Sequence, residues 1–307
     1  MIRIKDFLIV SRANIQIGTI PNAMLGIFLG ISHITQFNIF SLLYCILYFV
    51  SITFACNLNC YFDVDVDKLY KKQMYEATMN IGSKNMKIIM ISELSIILII
   101  STIFLIFQFY ITTILIIIGT IFSIIYSVKP IRIKARGIWS PIPVMLGLYM
   151  IPVLGGYFLY PLMLNFFYFI LFVIGYTFFN EGIILINTCE DFAEDKERGI
   201  HTWAHIMGLK NTLNIAFIFT IFGTLLANIT LFIILMISNF YSIYFYITLS
   251  VVIVSFLTSI ITSKDIFEIT KKSNFELAAK QSAPKMPKWF MITRYPLMLI
   301  ALLLTFF

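Results

Sequence analysis

The stretch Asn38–Asp67, "NIFSLLYCILYFVSITFACNLNCYFDVDVD", decides the fold. Residues 38–61 carry no charge, and as a helix rising about 1.5 Å per residue they are long enough to cross a hydrocarbon core of roughly 30 Å. Three aspartates follow at once: Asp63, Asp65 and Asp67. The rest of the chain is equally apolar. Of 307 residues, 60% are hydrophobic and only 12% charged, with a mean hydropathy of +0.94, outside the range of soluble globular domains.

Nine apolar runs are read as membrane-spanning helices, at about 15–34, 38–61, 88–107, 109–127, 138–160, 163–188, 211–237, 240–262 and 289–307. The expected fold is all-α and polytopic, with no room for a soluble domain. The start, "MIRIKDFLIV", has a charge inside too short an apolar segment and no small-residue cleavage site after it, so it reads as an interfacial lead-in and not as a secretory signal. Cys45, Cys56, Cys60 and Cys189 form no CxxC pair, which supports neither a disulfide framework nor a zinc site.

All 22 Lys and Arg residues fall at the N-terminus, after the even-numbered spans or, for Arg294, just inside the ninth. The opposite connections, "SHITQFN", "QFY", "GGYFLYP" and "ISNFYS", contain none. The positive-inside rule therefore predicts a multi-pass cell-membrane protein with a cytoplasmic N-terminus and cytoplasmic basic loops. The net charge of +7 is one-sided, suited to anionic headgroups or an anionic substrate. No nucleic-acid partner is expected, because no soluble basic domain exists to carry one.

Nine of the fifteen acids sit in two of these loops, after spans two and six. Mixed-charge helix ends are the bland reading of such loops, but the spacing argues otherwise. Asn59, Asp63 and Asp67 are four residues apart, which on a helix stacks them along one face at steps of about 6 Å. Asn187, Asp191 and Asp195 repeat the pattern four spans later, as weak internal symmetry that bilayer proteins use to build a site between repeats. Two facing carboxylate rows would repel across a low-dielectric gap unless cations lay between them. Hard oxygen ligands with room for water suit Mg²⁺, which completes its shell with phosphate oxygens. The loop "YSVKPIRIKARG" after span four supplies Tyr126, Lys129, Arg132, Lys134 and Arg136 on the same side, able to hold a diphosphate.

With these motifs the chain resembles the UbiA superfamily of intramembrane prenyltransferases. Its members carry NDxxDxxxD after span two and DxxxDxxxGIxT after span six, matched here by Asn59, Asp63 and Asp67 and by Asp191, Asp195, Gly199, Ile200 and Thr202. The family's YSxPPxRxKxxG is matched by Tyr126, Ser127, Pro130, Arg132, Lys134 and Gly137. The resemblance implies one transmembrane domain over residues 1–307, with helices surrounding a central cavity. It also implies Mg²⁺, as two ions held by Asn59, Asp63, Asp67, Asp191 and Asp195. An isoprenyl diphosphate would be bound by Asn59, Tyr126, Lys129, Arg132, Lys134, Asn187, Lys196 and Arg198. Ionisation of that allylic diphosphate and attack by a hydrophobic acceptor, aromatic or lipid-like, would follow. Two departures stand out: Cys60 replaces the Asp that follows Asn59 in the family, and Lys129 replaces a proline, as either a phosphate contact or a membrane-surface contact.

Glu181, inside span six, is a further catalytic candidate, either deprotonating or orienting an acceptor or hydrogen-bonding to Asn180 or a neighbouring span. Glu93 is expected to reach a polar neighbour, while Arg12, Asn14 and Gln16 match the family's acceptor contacts only loosely. His201 and His205 read as polar loop residues, residues 267–289 as a basic surface helix with Trp289 as an interfacial anchor. Two rivals are weighed. An ion transporter should place its ligands near the midplane, whereas these cluster at helix ends; a membrane terpene cyclase of the same superfamily would release hydrocarbon without an acceptor.

Overall fold

The computed structural model describes residues 3–160, 166–197, 199–237 and 243–306. Arg198, the starts expected for spans six and eight at 163 and 240, the last residue of span nine and the side chain of Asn14 lie outside them. The helices run α1 (Ile4–Val10), α2 (Ala13–Gly30), α3 (Ile39–Phe62), α4 (Val64–Tyr70), α5 (Lys72–Ile81), α6 (Ser83–Ile106) and α7 (Tyr110–Ser127). After a loop come α8 (Ile142–Val144), a π-helical turn (Met145–Met150) and α9 (Ile151–Tyr157). Then follow α10 (Phe166–Glu190), α11 (Phe192–Glu197), α12 (Trp203–Met207), α13 (Leu209–Ile237), α14 (Ile243–Thr270), α15 (Phe275–Ser282) and α16 (Met286–Leu304).

Among the described residues, eight helical segments are long and apolar enough to cross a bilayer. They are α3, α6, α7, the interrupted segment Gly137–Tyr157, α10, α13, α14 and Phe275–Leu304. The helix nearest the first expected span is α2, 18 residues interrupted by Pro21, which is not one of the eight. Ile91, Ile99, Ile106, Ile111 and Ile114 are exposed, as they should be on a surface that faces lipid.

Packing closes a circuit. From α2 it passes to α3, α7, the π turn and α9, then to α10, α13, α14 and α16, which returns to α2; α6 packs outside α3. Helix α10 is the most enclosed span, with 72% of its apolar window buried. Its contact with α13 is close because Gly223 lacks a side chain: a Cβ there would lie 2.4 Å from the Phe179 nitrogen. Small residues at such crossings let helices meet through backbone and dispersion contacts.

Backbone groups freed inside the bilayer are re-satisfied from neighbouring helices, as a medium without water demands. Pro21 has no N–H to offer the Ile17 carbonyl, and the Tyr295 hydroxyl donates to that carbonyl at 2.8 Å. One residue on, the Gly18 carbonyl accepts from Arg294 Nη1 at 2.6 Å, while Arg294 Nε donates to Asn180 Oδ1 at 2.6 Å. Arg294 is fully buried, with its guanidinium 3.7 Å from the centre of the Phe290 ring, so it clasps α2, α10 and α16 together. The Leu148 carbonyl, within the π turn, accepts from Asn22 Nδ2 at 2.8 Å and the Tyr48 hydroxyl at 3.1 Å.

Two local expectations change. Trp289 is no interfacial anchor: it is buried, and its indole donates to Asp265 Oδ2 at 3.1 Å, linking α16 to α14. The segment expected to lie on the membrane surface contains α15, which instead packs on α10 and α14 and buries Ala279. Trp289 and Ala279 find protein, while Leu277 of α15 stays exposed.

Arg294→Met should strip donors from the Asn180 side chain and the Gly18 carbonyl, at about 1–3 kcal/mol for each group left unsatisfied. A thermal midpoint in detergent clearly below that of the parent protein is the expected result.

Candidate functional site

The two acidic motifs are built alike. At the end of α3 the helix breaks at Asp63, φ −106° and ψ 7°, before α4 begins. Yet the Asp63 N–H still donates to the Asn59 carbonyl at 2.9 Å, and the Asp67 N–H to the Asp63 carbonyl at 2.8 Å. At the end of α10 the break falls at Asp191, with Asp191 bonded to the Asn187 carbonyl at 3.0 Å and Asp195 to the Asp191 carbonyl at 2.8 Å. The four-residue spacing therefore survives both breaks, and each row turns the corner between a spanning helix and a short one.

Between the rows opens a cavity of about 690 Å³, lined by Asn59 from the first motif and Asn187 from the second. Arg12, Tyr126 and Glu190 share this polar end. Below it the walls come from α3, α7 and the Pro143–Pro152 stretch, with α2 and α16 to one side.

Cations from the loop after α7 sit against the first row. Arg132 Nη2 donates to Asp63 Oδ1 at 2.7 Å, and Lys134 Nζ donates to Asp63 Oδ2 and, at 2.9 Å, to Asn59 Oδ1. Arg132 holds this position with a left-handed backbone, φ +40°, a conformation that costs a non-glycine residue energy and recurs at functional sites. The Ser127 hydroxyl donates to Asn59 Oδ1 at 3.4 Å. Across the cavity Lys71 Nζ donates to Asp191 Oδ2 at 3.3 Å, and Asn187 Nδ2 donates to the same oxygen at 3.1 Å. One side chain of the first loop thus reaches the second motif.

Burial, and after it the neighbouring Asp63, push the Asp67 carboxyl up to about 6. Burial also draws the Lys134 ammonium below its ordinary value, with Asp63 opposing. Tyr126 lies within electrostatic reach of Arg12, Asp63, Asp195 and Glu181, so its hydroxyl stands where both rows are felt.

Asn59, Asp63, Asp67, Tyr126, Arg132, Lys134, Asn187, Asp191 and Asp195 are thus brought around one opening, through direct contacts or the electrostatic reach of Tyr126. Lys129 and Lys196 are exposed, and Arg198 lies outside the described residues. Asp65, two residues off the stripe, is exposed as well. Among the described residues no three His, Cys, Asp or Glu side chains converge into a ready-made metal cage. Cys60 points away: it is fully buried, its thiol 3.5 Å from the Val10 carbonyl, in a cluster with Ala77, Ile81 and Met86. A carboxylate at that position would face α1 and not the opening.

Glu181 is buried behind the wall, and among the described residues neither of its carboxyl oxygens has a hydrogen-bond partner; Asn180 is engaged by Arg294 instead. Glu93 accepts from Asn57 Nδ2 at 2.7 Å. His205 stacks on Phe192 at 4.4 Å and meets the Phe192 carbonyl at 2.9 Å, a loop-fixing role. The sequence pattern marked Ser127 only as a motif match and gave Lys71 and Glu190 no place in the site. Lys71 had a signal, since it continues the row 59, 63, 67 by the same step of four.

A helical bundle with an apolar cavity, opened at one end between two acidic helix breaks and a basic loop, defines a multi-pass membrane protein with a charged mouth over an apolar interior. The profile of the UbiA prenyltransferase family matches residues 19–275, and the chain belongs to that family. No curated protein matches its sequence significantly. Among solved structures it is similar to a UbiA homolog from Archaeoglobus fulgidus bound to GPP and Mg²⁺, with 15% identity, a TM-score of 0.71, and coverage of 98% of this chain and 100% of that one. A digeranylgeranylglyceryl phosphate synthase matches with 18% identity, a TM-score of 0.67 and coverage of 98% and 99%. The apo UbiA homolog from Aeropyrum pernix K1 matches with 14% identity, a TM-score of 0.58 and coverage of 92% and 97%.

Asp67 offers a pH test. Its folded value, about 6, exceeds the ordinary 3.8, so the folded state binds the proton more tightly than the unfolded chain. This residue's contribution then favours folding as pH falls through 6 and levels off below about 4. In buffer containing EDTA, Asp67→Asn should flatten that part of the thermal midpoint's pH dependence.

Proposed function

We propose that this chain is a Mg²⁺-dependent intramembrane prenyltransferase that ionises an allylic isoprenyl diphosphate and transfers the prenyl group to an aromatic or lipid-like acceptor. The observation that carries the reading is the juxtaposition of Asn59, Asn187 and the Asp63–Arg132–Lys134 cluster at the mouth of one apolar cavity. The homologs bound to GPP and Mg²⁺ and to DMAPP and Mg²⁺ support it.

The donor set fits Mg²⁺: amide and carboxylate oxygens from Asn59, Asp63, Asp67, Asp191 and Asp195, with no closed cage among the described residues. An ion with few protein ligands and room for phosphate oxygens is the habit of Mg²⁺. When bound, two such ions would neutralise the charge that gathers on the diphosphate as it leaves.

The chain's own residues supply the rest. Arg132, Lys134 and Lys71 now pair with carboxylates and are placed to turn to diphosphate oxygens, where fixed cations stabilise developing charge. Tyr126, on the cavity wall, would donate its hydroxyl to the same diphosphate oxygens. The carbon–oxygen bond breaks with its electron pair leaving on the diphosphate, and the acceptor attacks the prenyl C1. Apolar walls keep water from competing. Glu181 does not line the cavity and its carboxyl oxygens have no hydrogen-bond partner among the described residues, so the proton lost by the acceptor goes to the departing diphosphate or to water at the mouth. By the distribution of Lys and Arg, the opening faces the cytoplasm of a cell-membrane protein.

Protein in lipid nanodiscs, given Mg²⁺, C10 to C20 diphosphates and a panel of aromatic and lipid acceptors, should yield prenylated product by mass spectrometry and lose it with EDTA. Asp63→Asn and Asp191→Asn should each cut turnover by about 100-fold or more. Parental rates in both variants would reject the reading.

A further inference from the structure

The cavity has a floor. Its deepest residue on α3 is Tyr44, whose hydroxyl donates to the Pro152 carbonyl of α9 at 2.8 Å. Gly155 makes room for that ring, since a Cβ there would meet the Tyr44 oxygen at 2.3 Å. Behind Tyr44 stands Phe104, fully buried, with ring centres 6.3 Å apart, and Phe104 in turn meets Phe109 edge to face at 5.8 Å. The phenol is pinned by a hydrogen bond in front and backed by an aromatic plug.

The walls between mouth and floor are chemically apolar although several lining residues are not. The hydroxyls of Ser51, Thr120 and Ser123 each donate to the carbonyl four residues back, at 2.8, 2.9 and 3.1 Å. Satisfied within their own helices, they turn carbon toward the space, as an isoprenoid tail requires.

Length follows from α3, a continuous helix through this region. Asn59 and Tyr44 are fifteen residues apart, about 22 Å at ~1.5 Å per residue. Measured from Cys56, one turn below the mouth and on the wall, the distance is about 18 Å. A carbon chain with bonds of ~1.5 Å advances about 5 Å per isoprene unit when extended. Three units span about 15 Å, four about 20 Å and five about 25 Å.

We infer that Tyr44, held by Pro152, is the chain-length stop of this enzyme, and that the cavity takes tails of three to four isoprene units and excludes five. The inference rests on the prenyl diphosphate reading above and adds the tail class to it. Ser51, two turns above the floor, is the position at which added bulk shortens the accepted tail.

The test measures diphosphate release from single prenyl diphosphates of C10, C15, C20 and C25, in nanodiscs with Mg²⁺ and the acceptor found active. The parent protein should turn over C15 and C20 at least about tenfold faster than C25. Tyr44→Ala should raise the C25 rate toward that of C20, Tyr44→Phe, which keeps the bulk, should keep the parental limit, and Ser51→Leu should favour C10 over C20 while still turning over C10. Release from no prenyl diphosphate at all would overturn the proposed function itself. Turnover of C25 as fast as C20 by the parent, or an unchanged limit in both Tyr44→Ala and Ser51→Leu, would overturn the stop while leaving the prenyltransferase reading in place.

Discussion

Carboxylates gathered at the edge of a low-dielectric bundle repel one another and need cations close by. At Asp63 the need is met by Arg132 and Lys134, and at Asp191 by Lys71. These pairings fix the loop after α7 over the end of α3 and tie the first acidic segment to the second. The opening of the cavity is therefore shaped by charge balance before any ligand arrives. The same cations, already partly desolvated, are poised to exchange one set of anionic oxygens for another.

Beneath that mouth the bundle obeys a second constraint. Inside a bilayer no water is at hand for a carbonyl freed by a proline or a π turn. The Ile17 and Leu148 carbonyls find Tyr295 and the Asn22–Tyr48 pair, and the Gly18 carbonyl beside Pro21 accepts from Arg294. Each substitute donor comes from another helix, so local irregularity becomes tertiary connection: α2 is joined to α16, and the π turn to α2 and α3. The π turn matters to the cavity as well, because Gly147 and Leu148 lie on its wall. Hydroxyls on that wall bond back into their own helices, which leaves the space without free hydroxyl donors from them.

Much of this was written in the one-dimensional pattern. Apolar runs of spanning length located most of the long helices to within about five residues, because in a membrane the length of a helix is set largely by hydrocarbon thickness. Helix α14 runs on to Thr270, past the expected 262, the last candidate span begins at Phe275 and not 289, and the first expected span is not among the eight long apolar segments. The step of four in Asn59, Asp63, Asp67 and in Asn187, Asp191, Asp195 placed both rows, because backbone hydrogen bonds carry that period across the breaks at Asp63 and Asp191. Charge asymmetry picked out the loop that holds Arg132 and Lys134.

What the tertiary structure alone decided concerns direction and partners. Cys60 is next to a row residue in sequence, yet adjacent helix positions point about 100° apart, and its thiol faces Val10. Trp289 looked like a membrane anchor but meets Asp265 across two helices, and Lys71 crosses to Asp191, 120 residues away. Tyr44 became a floor only because Gly155 and Pro152 of a distant helix come against it. Periodicity along a chain reports which face a residue shares, since that follows from local backbone geometry; which surface meets that face depends on how separate helices pack, and no local pattern carries it.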